Sequence, residues 1–325
     1  MKIIFIATGE FGAKVLERLA QSEYKPAFLI CSPDKPVGRK QILTPCPAKT
    51  KAQALGITIK EKPADINELT EFFKNEEYDF LIVSDTDFIL PNEILETPHY
   101  AAFNVHPSLL PKYRGSSPIQ AAILNGDIET GVTIIKMDEK IDHGAIVANR
   151  QWQIPCLPAD RANGISFETL RDQLADLGGQ LLIEILPQWP EGTVKIEEQN
   201  HEIATYTKRL KKEDGLIDWK KPAEIIERQI RAYHTWPGSY TFFEWKGQKK
   251  RLNIHKARII PNTKYKILNT NLTPGAIIKD SKKELIVACG KDALILDEIQ
   301  PEGKKPMIGE TFLNGYGHLV NVLTN

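Results

Sequence analysis

The sequence predicts an α/β protein in two parts, a Rossmann-like domain on a mostly parallel sheet and a second, small β-barrel domain of OB-like type. Two observations carry this. Over residues 1–189, short apolar, β-rich runs alternate with helical patterns, the signature of parallel strands covered by crossover helices. Beyond residue 207, short strand patterns follow one another closely with Gly and Asn turns between them, as in small barrels.

Residues 2–8 open the chain with a nearly continuous apolar run, as expected of a strand buried on both faces. A helix is predicted over 11–21. Its preceding turn has Gly9 and Gly12, which do not form G-x-G-x-x-G, and no Walker-type lysine loop exists, so a nucleotide-binding role is not expected. Strands follow at 27–31, 79–84, 100–106 and 131–137, with helices at 65–75 and 117–125 between them. Residues 34–49 read as a basic, proline-containing loop. A long amphipathic helix over 166–186 closes the first domain, and the polar tract after it reads as a linker. The expected boundaries are 1–189, 190–207 and 208–325. The second domain begins with a helix at 223–233, then strands at 239–245, 252–259, 275–279, 284–288 and 293–299.

With 42% hydrophobic and 26% charged residues among 325, the chain has the composition of a soluble globular protein. It shows no signal-like or membrane-spanning run, so a cytoplasmic location is expected. Cys31, Cys46, Cys156 and Cys289 form no C-x-x-C pair, so reduced thiols and no bound metal are expected. The net charge is zero, yet 20 Lys+Arg face 29 Asp+Glu up to Tyr206, and 22 face 13 after it. A basic second part suits a polyanionic partner.

The run Phe103-Asn104-Val105-His106-Pro107 marks a candidate active site. In a strand Asn104 and His106 share one face while Phe103 and Val105 point into packing, and Pro107 ends the strand. With Asp142 delivered later in the chain, an amide, an imidazole and a carboxylate can bind an oxyanion, move a proton and orient the imidazole, which suits acyl transfer. Each has an ordinary structural alternative: a satisfied strand end, a core histidine, a turn aspartate. His143 lacks the same-face partner that His106 has.

At Asn104-x-His106 and Asp142 the sequence resembles the formyltransferases that use 10-formyltetrahydrofolate. Ser32-Pro33-Asp34-Lys35-Pro36-Val37-Gly38-Arg39-Lys40, Tyr113-Arg114-Gly115-Ser116-Ser117-Pro118, Lys212-Glu213-Asp214-Gly215-Leu216-Ile217-Asp218-Trp219 and Pro301-Glu302-Gly303-Lys304-Lys305 resemble the branch of that family acting on methionyl-tRNA. The likeness covers nearly the whole chain. It implies formyl transfer to the α-amine of methionyl-initiator tRNA by a monomeric enzyme, with Asn104, His106 and Asp142 as catalytic residues. It also implies a folate-contacting loop at Ser108, Leu109, Leu110 and Pro111, and a pterin pocket lined by Asp85, Thr86 and Asp87. Contacts to tRNA would come from Lys35, Arg39, Lys40 and Lys49 in the basic loop and from Lys208, Arg209, Lys249, Lys250 and Arg251.

Three segments depart from the family habit. Ala7-Thr8-Gly9-Glu10-Phe11 replaces an opening resembling G-T-P-E-F, Asp85-Thr86-Asp87 replaces a run resembling A-Y-G, and the basic loop at Gly38-Arg39-Lys40-Gln41 is shorter in basic residues. The rival readings are a sugar-nucleotide formyltransferase, a formyltetrahydrofolate hydrolase and a tRNA-binding protein with a degenerate folate pocket. The basic second part argues against the first two, and the intact trio against the third.

Overall fold

In the computed structural model, which describes residues 1–38, 40–155, 164–260, 273–278, 283–317 and 320–325, the opening apolar run forms strand β1 (Ile3–Ile6), buried at every position. Arg39, Cys156 and Lys279 fall outside the described residues. The chain divides into two compact units. The first comprises Met1–Pro118, Glu129–Gln153 and Leu170–Lys208, and the second Ile119–Ile128, Ile154–Thr169 and Arg209–Asn325.

After β1 come α1 (Glu10–Ala20), β2 (Phe28–Cys31), a hairpin of β3 (Lys35–Val37) and β4 (Ile42–Thr44), α2 (Pro47–Ala54), β5 (Thr58–Glu61), α3 (Ile66–Asn75), β6 (Phe80–Val83), α4 (Asn92–Leu95) and β7 (Ala101–His106). There follow β8 (Arg114–Gly115), α5 (Pro118–Asn125), β9 (Glu129–Lys136), β10 (Ile146–Gln153), α6 (Phe167–Gln188) and β11 (Tyr206–Thr207). Seven strands make one sheet in the order β10-β9-β7-β6-β1-β2-β5. The pairs from β7 to β5 are parallel, and β9 and β10 run antiparallel at one edge. The strand order reverses between β1 and β6, which places a crevice at their carboxyl ends.

The two faces of the sheet are covered by different helices. Ile4, Ile6, Leu81, Val83 and Ala102 belong to one apolar cluster with Leu69 and Phe73 of α3 and Ile94 and Leu95 of α4. On the opposite face Phe103 meets Trp189 edge-on at 4.9 Å, and Val105 packs so closely against Gly178 of α6 that a Cβ there would lie 2.7 Å from its Cγ1.

In the second unit α7 (Ala223–Ala232) precedes β12 (Ser239–Trp245), β13 (Gln248–Ile260), β14 (Ile277–Ile278), β15 (Ile286–Ala288), β16 (Ala293–Pro301), β17 (Met307–Ile308), α8 (Gly309–Tyr316) and β18 (Leu323–Thr324). The strands pair antiparallel in the order β14-β15-β16-β13-β12-β18, with β17 beside β16. Ile226 and Ile230 of α7 share a core with Phe243, Leu252, Leu296 and Phe312. This unit is an antiparallel sheet with covering helices; its named strand pairs alone do not close a barrel. An isolated bridge joins Ala276 to Val322, next to its terminal strands β14 and β18. No helix among the described residues is long and apolar enough to cross a membrane.

Candidate active site

Strand β7 alternates as its sequence requires. Ala102, Asn104 and His106 lie on one face, and beyond the α3–α4 cover that face carries polar groups instead of apolar ones. Asp142 reaches them from the turn after β9. Its Oδ1 accepts the amide Nδ2 of Asn104 at 3.0 Å and lies 3.4 Å from His106 Nδ1, while Oδ2 accepts the backbone N–H of Gly115 at 2.8 Å. The trio expected from sequence therefore converges on one carboxylate whose side chain is only 10% exposed.

His106 is buried, and its Nε2 lies 3.0 Å from the carbonyl oxygen of Tyr113. A carbonyl can only accept, so Nε2 carries a proton and Nδ1 faces Asp142. In the neutral ring Nδ1 is then unprotonated beside the carboxylate, and only the charged ring can donate to both Tyr113 and Asp142. One N–H of Asn104 is spent on Asp142, and an amide nitrogen has a second to offer. His143 turns away: its Nδ1 meets Asp138 Oδ2 at 2.6 Å and its ring stacks on His201 with centroids 4.0 Å apart.

Sequence reasoning missed a layer behind the trio. Arg114, 1% exposed, donates from Nε and Nη2 to Gln199 Oε1 at 3.1 and 2.7 Å, from Nη1 to the Tyr206 hydroxyl and from Nη2 to His201 Nδ1. Gln199 donates in turn to the carbonyls of Asp142 and Gly144 at 3.0 and 2.7 Å. Gln199, His201 and Tyr206 sit in the tract read as a linker. That tract is tied to the first unit by a bridge from Glu197 to Ile146 and by β11 pairing parallel with β8. No periodicity marks it, because its order comes from single polar contacts.

The four residues expected to contact folate divide by exposure. Ser108 and Leu110 are buried: the Ser108 hydroxyl donates to Lys112 O, and Thr133 Oγ1 bridges Ser108 O and Leu110 N. Leu109 and Pro111 remain partly accessible.

At the switch point, Asp85 holds an unusual position. Its backbone φ is +54°, its carbonyl accepts the N–H groups of Thr8 and Gly9, and its Oδ2 accepts Phe11 N–H at 3.1 Å, at the start of α1. Asp85 is solvent-exposed, yet burial of its carboxylate among protein atoms raises its pKa against the backbone hydrogen bonds from Gly12 and Phe11. Next to it the Thr86 hydroxyl is buried without a hydrogen-bond partner among the described residues. Asp87 points elsewhere, to Lys35, Ser32 and Thr8; burial opposes its charge, but these bonds prevail and hold its pKa below the ordinary carboxylate value. Asp85 and Asp87 thus do not act as a pair.

Of the basic residues, Lys35 is paired with Asp87 at 2.5 Å. Lys49 is 13% exposed and bound to both Asp34 and Glu61, whose hydrogen bonds raise its pKa. Lys40, Lys208 and Arg209 are exposed. In the second unit Lys249 lies 4.4 Å from the Phe242 ring centroid and Arg251 3.7 Å from that of Tyr240, an aromatic and cationic ladder on β12 and β13, while Lys250, half-buried, alternates to the other face opposite Phe243. No group of three or more His, Cys, Asp or Glu suited to a metal occurs among the described residues.

Two family models match: "Formyl transferase" over residues 1–186 and "Formyl transferase, C-terminal domain" over 209–317. The chain is 38% identical over 318 residues to the methionyl-tRNA formyltransferase of Chloroflexus aggregans, covering 97% of each chain. To that of Listeria innocua it is 38% identical over 325 residues, covering 99% of this chain and 98% of the relative. Among solved structures, HypX from Aquifex aeolicus in complex with tetrahydrofolic acid superposes with a TM-score of 0.60 at 14% identity, covering 96% of this chain and 47% of HypX, so this chain spans about half of that protein. An N-formyltransferase from Helicobacter canadensis, in complex with folinic acid and dTDP-3-aminofucose, gives 0.60 at 19% identity and covers 91% and 99%. These two share the fold. The full-length identities decide the family: this chain belongs to the methionyl-tRNA formyltransferases, a family of enzymes.

Proposed function

We propose that the chain transfers the formyl group of 10-formyltetrahydrofolate to the α-amine of methionyl-initiator tRNA, with Asn104, His106 and Asp142 as its catalytic set. The convergence of Asn104 and His106 on the Asp142 carboxylate carries this reading. The neutral amine attacks the formyl carbon and its carbonyl becomes an oxyanion. The unspent N–H of Asn104 donates to that oxygen, a contribution of about 3–4 kcal/mol for a preorganised donor. The His106–Asp142 pair takes the proton that the attacking amine releases, and the folate N10 receives one as it departs, so the count of protons is unchanged. Asn104 keeps its aim because Asp142 holds its other N–H.

The crevice at the switch point suits the folate. Leu109 and Pro111 offer apolar contact, the Thr86 hydroxyl has no hydrogen-bond partner among the described residues, and Asp85 has acceptor capacity for a ring rich in N–H groups. Asp87 acts by holding Lys35 beside this loop. For tRNA we assign phosphate contacts to Lys35, Arg39, Lys40 and Lys49 of the basic loop and to Lys208, Arg209, Lys249, Lys250 and Arg251. Residues 1–189 then form the catalytic domain, 190–207 its connection, and 208–325 the tRNA domain. We read the last as an OB-like barrel, supported by the hydrogen bonds Ile277 N to Asn321 O and Leu323 N to Gly275 O beside its end strands. The enzyme acts as a cytoplasmic monomer, as the family resemblance implies.

The test supplies 10-formyltetrahydrofolate with charged initiator tRNA, with a nucleotide-linked amino sugar, and with water alone. Formyl-methionyl-tRNA is the expected product. Formylation of the sugar alone, or release of formate alone, would replace this reading with one of its rivals.

A further inference from the structure

We propose that Gln199 is a positioning residue for the reaction, bracing the backbone of Asp142 so that its carboxylate meets Asn104 and His106. The proposal rests on the assignment of Asp142 made above.

Asp142 has φ +51°, in the left-handed region that non-glycine residues enter at some energetic cost. Its carboxylate must nevertheless reach three groups at once. What holds the turn is the Gln199 amide, whose Nε2 donates to the carbonyls of Asp142 and Gly144 on either side of His143. Its Oε1 accepts two bonds from Arg114, so the amide is engaged at both ends and its orientation is fixed. Gln199 is 4% exposed and Arg114 1%.

The partners described for the Arg114 side chain, Gln199, Tyr206 and His201, are all neutral. A buried guanidinium without a carboxylate makes its hydrogen bonds strong and demanding of geometry. Arg114 also precedes Gly115, whose N–H holds Asp142 Oδ2. One anchored arginine therefore constrains Asp142 twice, at its side chain through the adjacent backbone and at its own backbone through Gln199. A misplacement of the carboxylate by about 1 Å is enough to lower turnover about 10²-fold.

The experiment is a double-mutant cycle on the full chain, in single-turnover assays with 10-formyltetrahydrofolate and charged initiator tRNA. Gln199→Leu is expected to lower the chemical rate about 10- to 100-fold while both KM values change less than about twofold. In an Asp142→Asn background the same change should cost less than about threefold, because Gln199 acts through Asp142. Gln199→Glu keeps the acceptor for Arg114 but removes the N–H donors, and should match Gln199→Leu; it replaces that variant if Gln199→Leu gives no cooperative melt. A wild-type rate in the folded variants, a loss confined to KM, or an equal loss in both backgrounds would overturn the proposal. Full activity of Asp142→Asn alone would overturn the assignment of Asp142 itself, and the role of Gln199 with it.

Discussion

Gly9 and the carboxylate of Asp85 compete for one place: a Cβ built on Gly9 would lie 2.0 Å from Asp85 Oδ2. Gly9 has an ordinary φ of −86°, so space and not backbone conformation excludes a side chain there. Two departures from the family habit, far apart in sequence, are therefore one feature in space. Gly9→Ala should lower stability by about 1–3 kcal/mol, as overpacking does. Within an Asp85→Ala background most of that loss should vanish. Thermal melts of the four proteins test this, and equal losses in both backgrounds would separate the two residues.

Asn104→Ala and His106→Ala should each reduce turnover about 10²- to 10³-fold, the range for a lost oxyanion donor or a lost general acid–base. Binding of tRNA, measured by filter retention, should stay within about threefold. Near-normal turnover in either variant would move the chemistry away from β7.

The two aspartates after β6 should respond to pH in opposite senses. The folded-state pKa of Asp87 is lowered, so its stabilisation is complete above the unfolded value of about 4 and is lost as pH falls through the folded pKa. Asp85 is raised, so its favourable contribution exists below about 4 and is lost as pH rises through its folded pKa. Asp87→Asn should hence lower the melting temperature at pH 7 by an amount that shrinks as pH falls through the folded pKa, whereas Asp85→Asn should raise it at pH 7. Melting temperatures over a series of pH values from 7 downward decide the signs.

Cys46 stands at the start of α2, and the Cys31 thiol donates to it; that bond outweighs burial, with further help from the N–H groups of Lys49 and Ala48, and lowers its pKa to about 6. Burial raises Cys289 to about 12. Peptide mapping after brief iodoacetamide treatment should find Cys46 modified well before Cys289, with a half-maximal rate near pH 6. Cys31→Ala should move that midpoint upward, and a midpoint already near the ordinary thiol value of about 8.5 in the parent would refute the contact.

If the ladder of Lys249 and Arg251 follows the phosphate backbone, tRNA affinity should fall steeply with salt. Replacing both by alanine should lessen the slope of log K against log salt by about 1–2, with little effect on kcat. An unchanged slope would place the tRNA elsewhere.

The strands that build the site were legible because β1 and β6 are buried on both faces and so read as continuous apolar runs, and because β7 is apolar apart from Asn104 and His106. The edge strands were not. Thr58-Ile59-Lys60-Glu61 in β5 and the later part of β10 are polar, as unprotected edges tend to be. Helix α2 buries only Ala48 and Ala52, too little to mark a stripe. Asn104 and His106 could be paired from spacing alone, because a strand puts i and i+2 on one face. Gln199 could not, since the groups it touches lie 55 to 85 residues away and a lone polar residue carries no periodic trace.

The return of the chain onto β8 after α6 bears on how such enzymes can be recombined. A chimaera joined at residue 189, where composition suggests a seam, would discard Gln199, His201 and Tyr206 and with them the groups around Arg114. The last residue of the first unit is Lys208. A graft of a foreign RNA-binding module should begin after it, so that the exchangeable boundary follows the buried arginine and not the drop in hydrophobicity.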